Sequence, residues 1–171
     1  MKLSGYTIID ASVAKALGNP PAIGLHHSYE LVQRLKSGPI GICMTPSLNE
    51  EWVRHSSRFM IRWLASMESR RRVGHFKDRK VADFRRVLKR VEDPHIRAAI
   101  EKDAHLTEAA LLLNIAVISL DNKQRVYLCA LAERYKKLGG LQWINPTEVG
   151  EDCLVWLSGC CSDQGFERLT Q

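Results

Sequence analysis

The run Ile115–Leu120, IAVISL, is short, almost wholly apolar and carries three β-branched residues. Such a run reads as a strand buried on both faces. A strand of that kind needs cover above and below, which points to a parallel sheet between layers of helix. A helix is expected just before it. Leu106, Ala109, Ala110 and Leu113 fall at i, i+3, i+4 and i+7, so one face is apolar. Asp103 opens that helix, and Asn114 is a reasonable stop because Asn tolerates the left-handed conformation. Asp121 follows the strand at once. An ionised acid at the exit of a buried strand is not a packing residue, and in open α/β sheets that exit is where ligands bind.

The same alternation runs through the chain. Tyr6–Ile9, Ile40–Met44 and Leu141–Asn145 read as further strands. His27–Lys36 reads as a helix with Leu31, Val32 and Leu35 on one side, ended by Gly38-Pro39. Ser47 with Glu50 three residues on fits a capping box for the next helix. From Trp52 to about Leu88 the pattern is helical, with a break expected near Gly74 and a further boundary at Asp93-Pro94. Lys123–Lys136 is a helix ended by Gly139-Gly140, Pro146–Leu157 suggests a last helix, and 158–171 shows no period. The expected fold class is α/β, a three-layer α/β/α sandwich with a central parallel sheet. Residues 1–146 would form that domain, with a basic helical segment at 53–102, and 147–171 a C-terminal helix and tail.

The length of 171 residues suits one domain, and a hydrophobic fraction of 45% supplies a core. Lys plus Arg number 25 against 19 Asp plus Glu, and the excess is concentrated between residues 53 and 102. A basic segment permits a polyanionic partner. Arg54, Arg58 and Arg62 recur every fourth residue, so on a continuous helix they share one face that could meet RNA. The five cysteines are irregularly spaced without a C-x-x-C, so neither zinc nor a disulfide framework is suggested. Cys43 and Cys129 sit in apolar contexts and read as buried thiols. No apolar run has the roughly 18 residues that span a bilayer, and the N-terminus lacks the order of a signal peptide. The expectation is a cytoplasmic protein with no membrane partner.

In a parallel sheet all strand exits lie along one edge. Asp10, Glu50 or Glu51, and Asp121 then collect there, and Asp103 joins them if its connection curls back. Two like charges about 4 Å apart repel by roughly 4 kcal/mol at an effective dielectric near 20. Crowded carboxylates must therefore be protonated or bind a cation, and oxygen-only ligation favours Mg²⁺ or Mn²⁺. Such an ion can activate water and stabilise phosphoryl charge.

The segments IIDAS, TPSLNEEW, KDAHLTEAAL and VISLDN, in that order, resemble the PIN-domain family of metal-dependent ribonucleases, which includes toxins of bacterial type II toxin–antitoxin pairs. The resemblance covers roughly residues 5–145 and is most specific in the last two segments. It implies an acidic pocket at the strand exits, Mg²⁺ or Mn²⁺, and hydrolysis of single-stranded RNA. It also implies an antitoxin protein as partner and a homodimer, for which the helices at His27–Lys36 and Trp52–Met67 could serve. Position by position, Asp10, Glu51, Asp103 and Asp121 match the family's four acids, Glu51 being chosen because Trp52 follows it and Glu50 held in reserve. Ser12 and Ser119 match the hydroxyl residues that support the first and last acids. Asn122-Lys123 departs from the pattern, since many members carry a further acid there.

Each of these residues also has a plainer role. Asp103 fits a helix N-cap, and Asp10 and Asp121 fit turns. His105 fits a packing histidine, and His26-His27 a loop. Two other functions stay open: a PIN-like module that binds RNA or protein without cutting, and a phosphotransfer enzyme. Phosphatases of the haloacid dehalogenase type need a second Asp two residues after the first, where this chain has Ser12.

Overall fold

The computed structural model describes residues 5–148. Five strands form one parallel sheet: β1 (Tyr6–Ile9), β2 (Gly41–Met44), β3 (Val73–His75), β4 (Val117–Ile118) and β5 (Trp143–Ile144). Their spatial order is β3-β2-β1-β4-β5. Among the described residues, eight helices cover the sheet to make a three-layer α/β/α sandwich: α1 (Ala11–Ala16), α2 (His26–Ser37), α3 (Pro46–His55), α4 (Arg58–Ser69), α5 (Ala82–Leu88), α6 (Pro94–Lys102), α7 (Ala104–Leu113) and α8 (Asn122–Ala132). A 3-10 turn spans Lys136–Gly140. The expected last helix over 146–157 and the tail fall almost wholly outside the described residues.

β1 is central. It pairs with β2 through Tyr6 opposite Gly41, and with β4 through Ile8 opposite Val117 and Ile9 opposite Ile118. Ile8, Ile9, Ile42, Met44, Val117 and Ile118 are all nearly inaccessible, as strands covered on both faces require. β1 fills its expected run, whereas β2, β4 and β5 are shorter than theirs.

Three local expectations need correction. The basic stretch 52–88 is not one broken helix. Gly74 lies within the edge strand β3, opposite Cys43. A Cβ there would come within 2.7 Å of the Phe76 ring and 2.8 Å of the Tyr6 ring, so the close approach demands glycine. The helix also stops at His55, and Ser57 caps a new one by accepting from Met60 N–H at 3.2 Å. Ser57 N–H donates to the Ala14 carbonyl at 2.9 Å and its hydroxyl donates to the Leu17 carbonyl, which fixes the break against α1. Arg54 therefore belongs to α3, and Arg58 and Arg62 to α4, so the three do not share a continuous helix face.

The cap of α3 is Thr45 rather than Ser47. Its hydroxyl accepts from Leu48 N–H at 3.4 Å, and Pro46 occupies the first turn, where its missing N–H is harmless. His27 lies in α2 rather than in a loop. The apolar faces offered for dimer contact, Leu31, Val32 and Leu35 on α2 and Met60, Trp63 and Met67 on α4, are buried inside this chain. Val53 and Ile61 remain exposed on α3 and α4. Trp52 and Trp63 are core residues whose Nε1 atoms donate to the carbonyls of Ile9 and Val32 at 2.9 and 2.8 Å.

Among the described residues no helix is long and apolar enough to cross a membrane. Cys43 is buried, and desolvation pushes its thiol up to about 12.

Candidate functional site

The carboxyl ends of β1, β2 and β4 gather the acids. Asp10 follows β1 and is 9% exposed. Its Oδ2 accepts from the Ser12 hydroxyl at 2.5 Å and from the Ser119 hydroxyl at 2.7 Å. Those hydroxyl oxygens also accept, Ser12 from Leu120 N–H and Ser119 from Asp121 N–H, each at 3.1 Å. The exits of β1 and β4 are thus joined through one carboxylate oxygen and two serines. Two hydroxyl donors on one carboxylate oxygen hold the Asp10 side chain in one orientation.

Asp121 follows β4 and caps α8, its Oδ1 accepting from Gln124 N–H at 2.9 Å. The plainer capping role is real for one of its oxygens. Asp103 differs. It stands between α6 and α7, and its side chain makes no capping hydrogen bond. The cap reading therefore does not account for it. Burial raises its pKa, Lys102 opposes the rise, and Asp10, Glu51 and Asp121 each add to it, leaving the carboxyl at about 6. The four acids are near enough that each of the other three is felt at Asp103.

Glu51 lies on α3, with Oε2 3.4 Å from His105 Nε2. That distance is an ion pair rather than a well-made hydrogen bond, and Nε2 has no other partner. Burial disfavours the Glu51 charge, but His105, Lys102 and Arg54 outweigh it and hold the carboxyl below its ordinary range. Burial likewise opposes the charged imidazole, and Glu51, Asp103 and Asp78 together hold His105 above its ordinary value. Glu50, the reserve choice, is on the open side of α3, 69% exposed and paired with Arg54 at 3.2 Å.

Two participants were not placed at the site by the sequence reading. His105, read there as a packing histidine, follows Asp103 by two residues and engages Glu51; the spacing alone gave no sign of that pairing. Asp78, between β3 and α5, accepts from Ser47 N–H at 3.0 Å and from the Ser47 hydroxyl at 2.9 Å. Burial works against its ionisation, but Ser47, Thr45 and His105 keep its pKa low. Ser47 and Glu51 are i and i+4 on α3, so Asp78 joins the same face.

An all-carboxylate donor set suits a hard cation, and the Asp103 side chain makes no capping hydrogen bond that would compete for it. Yet among the described residues no group of three or more His, Cys, Asp or Glu side chains is arranged to hold a metal ion. The acids share a field without closing around one point. A cavity of about 410 Å³ lies elsewhere, with Val81, Ala110, Asn114, Tyr135 and Leu141 in its walls, and no carboxylate lines it. Arg54, Arg58 and Arg62 are all exposed. No protein-family model matches the chain, and no curated protein matches it.

Proposed function

We propose that the chain is a metal-dependent endoribonuclease that hydrolyses phosphodiester bonds in single-stranded RNA, in keeping with its resemblance to PIN-domain toxins. The observation that carries the reading is the Asp103 carboxyl. It is half-buried, makes no capping hydrogen bond, and is raised to about 6 with Asp10, Glu51 and Asp121 contributing. Four acids from four separate places in the chain share a field at one edge, a costly arrangement that Lys102 and His105 only partly offset.

Asp10, Glu51, Asp103 and Asp121 would hold Mg²⁺ or Mn²⁺. When bound, the ion supplies Lewis-acid activation of water and neutralisation of phosphoryl charge. Ser12 and Ser119 orient Asp10. Asp103, its carboxyl raised to about 6, would lose its proton more readily with a cation bound. Glu51 is held by His105 in the cation's absence. A cytoplasmic setting, an antitoxin partner and a second copy of the chain belong to the same reading.

Purified protein should cleave single-stranded RNA only with Mg²⁺ or Mn²⁺. Asp10→Asn should reduce cleavage to background while the far-ultraviolet circular dichroism spectrum is unchanged. Full activity in that variant would defeat the proposal.

A second reading has its own support. The absence of a ready three-ligand group among the described residues, and Asn122 in place of a further acid, favour a PIN-like module that binds RNA or protein without cutting. Asn122 is engaged otherwise: its Oδ1 accepts from Asn145 Nδ2 and its Nδ2 donates to Glu148, both at 2.8 Å. Metal-dependent turnover that vanishes in Asp10→Asn excludes this alternative.

A further inference from the structure

The run Lys77-Asp78-Arg79-Lys80 connects β3 to α5 at the carboxyl edge of the sheet. It is tied down at two points. In its middle, Asp78 Oδ2 accepts from Ser47 N–H and the Ser47 hydroxyl at the start of α3. At its end, Val81 N–H donates to Glu108 Oε1 on α7 at 2.9 Å. Glu108 is itself fixed, its side chain 3% exposed and gripped by Arg85 at 2.7 and 2.6 Å.

These anchors are helices next to two of the four acids. Glu51 is one turn beyond Ser47 on α3, and Asp103 immediately precedes α7. The loop therefore bridges the two sides of the acidic edge.

Lys77, Arg79 and Lys80 are exposed, and none makes an ion pair among the described residues. The one acid among them faces Ser47. We infer that this loop is the binding site for the phosphodiester backbone of single-stranded RNA, with Lys77, Arg79 and Lys80 contacting phosphates as the strand meets the acids. The inference rests on the proposed function for the identity of the polyanion.

Three considerations favour it. Four carboxylates repel a phosphate chain, so cations must be fixed next to them to bring it in. An acidic protein has no comparable reason to approach an acidic edge. Anchoring at its middle and its end limits the freedom the loop loses when it binds. Of the arginines singled out by spacing, Arg54 acts on Glu51 but is paired with Glu50, and Arg58 and Arg62 are on α4.

The test uses the 171-residue chain carrying Asp10→Asn, so that RNA is bound without being cut. Binding of a short fluorescent single-stranded RNA is followed by anisotropy over a range of salt. Lys77→Gln/Arg79→Gln/Lys80→Gln should weaken binding by about tenfold or more near 0.1 M salt, and make the plot of log K against log salt shallower by about 2. Arg58→Gln/Arg62→Gln should change affinity by less than about twofold, and the charge-keeping variant Lys77→Arg/Arg79→Lys/Lys80→Arg should bind like the parent. Binding by the triple Gln variant within about twofold of the parent overturns the inference. So does competition by polyglutamate equal to that of RNA at the same charge concentration. Cleavage by protein with Asp10 intact is measured separately. If the loop variants lose RNA binding but nothing is cut, only the nuclease reading falls; if RNA is cut and the loop variants bind normally, only the loop assignment falls.

Discussion

Replacing Asp103 by Asn tests the crowding of charge directly. Burial and three neighbouring acids raise the Asp103 carboxyl from 3.8 to about 6. Between those values the folded protein holds a proton that the unfolded chain has released. Stability therefore falls as the pH rises through that window, and the whole loss persists above it. A displacement of about two pH units corresponds to about 3 kcal/mol at 1.36 kcal/mol per unit. Asp103 is partly exposed, and solvent screening reduces this to about 1–2 kcal/mol. Asn keeps the shape, cannot ionise, and gives up no capping bond, since Asp103 makes none. In chelator at about pH 7.5, Asp103→Asn should be more stable than the parent by about 1–2 kcal/mol, or roughly 3–6 °C in Tm for a chain of this size. At about pH 3.5 both carboxyl states are protonated and the two proteins should melt together. Added Mg²⁺ or Mn²⁺ should stabilise the parent and not the variant. Thermal denaturation followed by circular dichroism at the two pH values decides it. Equal or lower stability of the variant at about pH 7.5 refutes the argument, because Asp103 would then be a satisfied structural group.

Ser119→Ala removes a donor to Asp10 and leaves Asp121 N–H without its acceptor. It should cost about 1–3 kcal/mol in urea denaturation, with RNA cleavage reduced through kcat rather than KM. Glu108→Gln weakens the grip on Arg85 and on Val81 N–H. Breaking a pair with one fully buried and one partly exposed member should cost about 2–4 kcal/mol by chemical denaturation. Asn114 ends α7 at φ 53° and ψ 53°. Asn114→Val should lower stability by about 1–2 kcal/mol, while Asn114→Gly should leave it unchanged or slightly higher in the same melt.

The layered architecture was readable because Ile8, Ile9, Ile42, Val117 and Ile118 are buried on both faces of their strands and leave an unmistakable apolar signature. β3 lacked that signature. It is an edge strand of three residues, Val-Gly-His, half-exposed and set within a run of arginines and lysines. Its strand character comes from pairing with β2 and from the rings of Tyr6 and Phe76 crowding Gly74, neither of which is local in sequence. The break at Ser56-Ser57 was hidden for a related reason, since the partners that fix Ser57 are the carbonyls of Ala14 and Leu17 on a distant element. Pro46 did carry a legible signal for the α3 cap, favouring Thr45 over Ser47.

At the site, strand exits placed Asp10 and Asp121, and the structure brings Ser12 and Ser119 onto Asp10. Asp103 lies close to both acids because α6 and α7 meet at it, a turn that short-range patterns did not specify. Choosing Glu51 over Glu50 rested on resemblance; Glu51 stands against His105, and Glu50 is on the open side of the helix, paired with Arg54. His105 and Asp78 were invisible because their partners are set by tertiary contact, Glu51 for one and Ser47 for the other.

The middle position of β1 has a consequence for the order in which the chain acquires its parts. The hydroxyl of Ser119 reaches Asp10 from 109 residues further along. A polypeptide still emerging from the ribosome carries its first acid long before the group that aims it. One flank of β1 also stays unpaired until Val117–Ile118 has been made, and an open strand flank is a hazard in a partly built protein. Any product cut short before that point lacks both the β1–β4 pairing and the Ser119 hydrogen bond to Asp10, so whatever this edge does waits for residues 117–119.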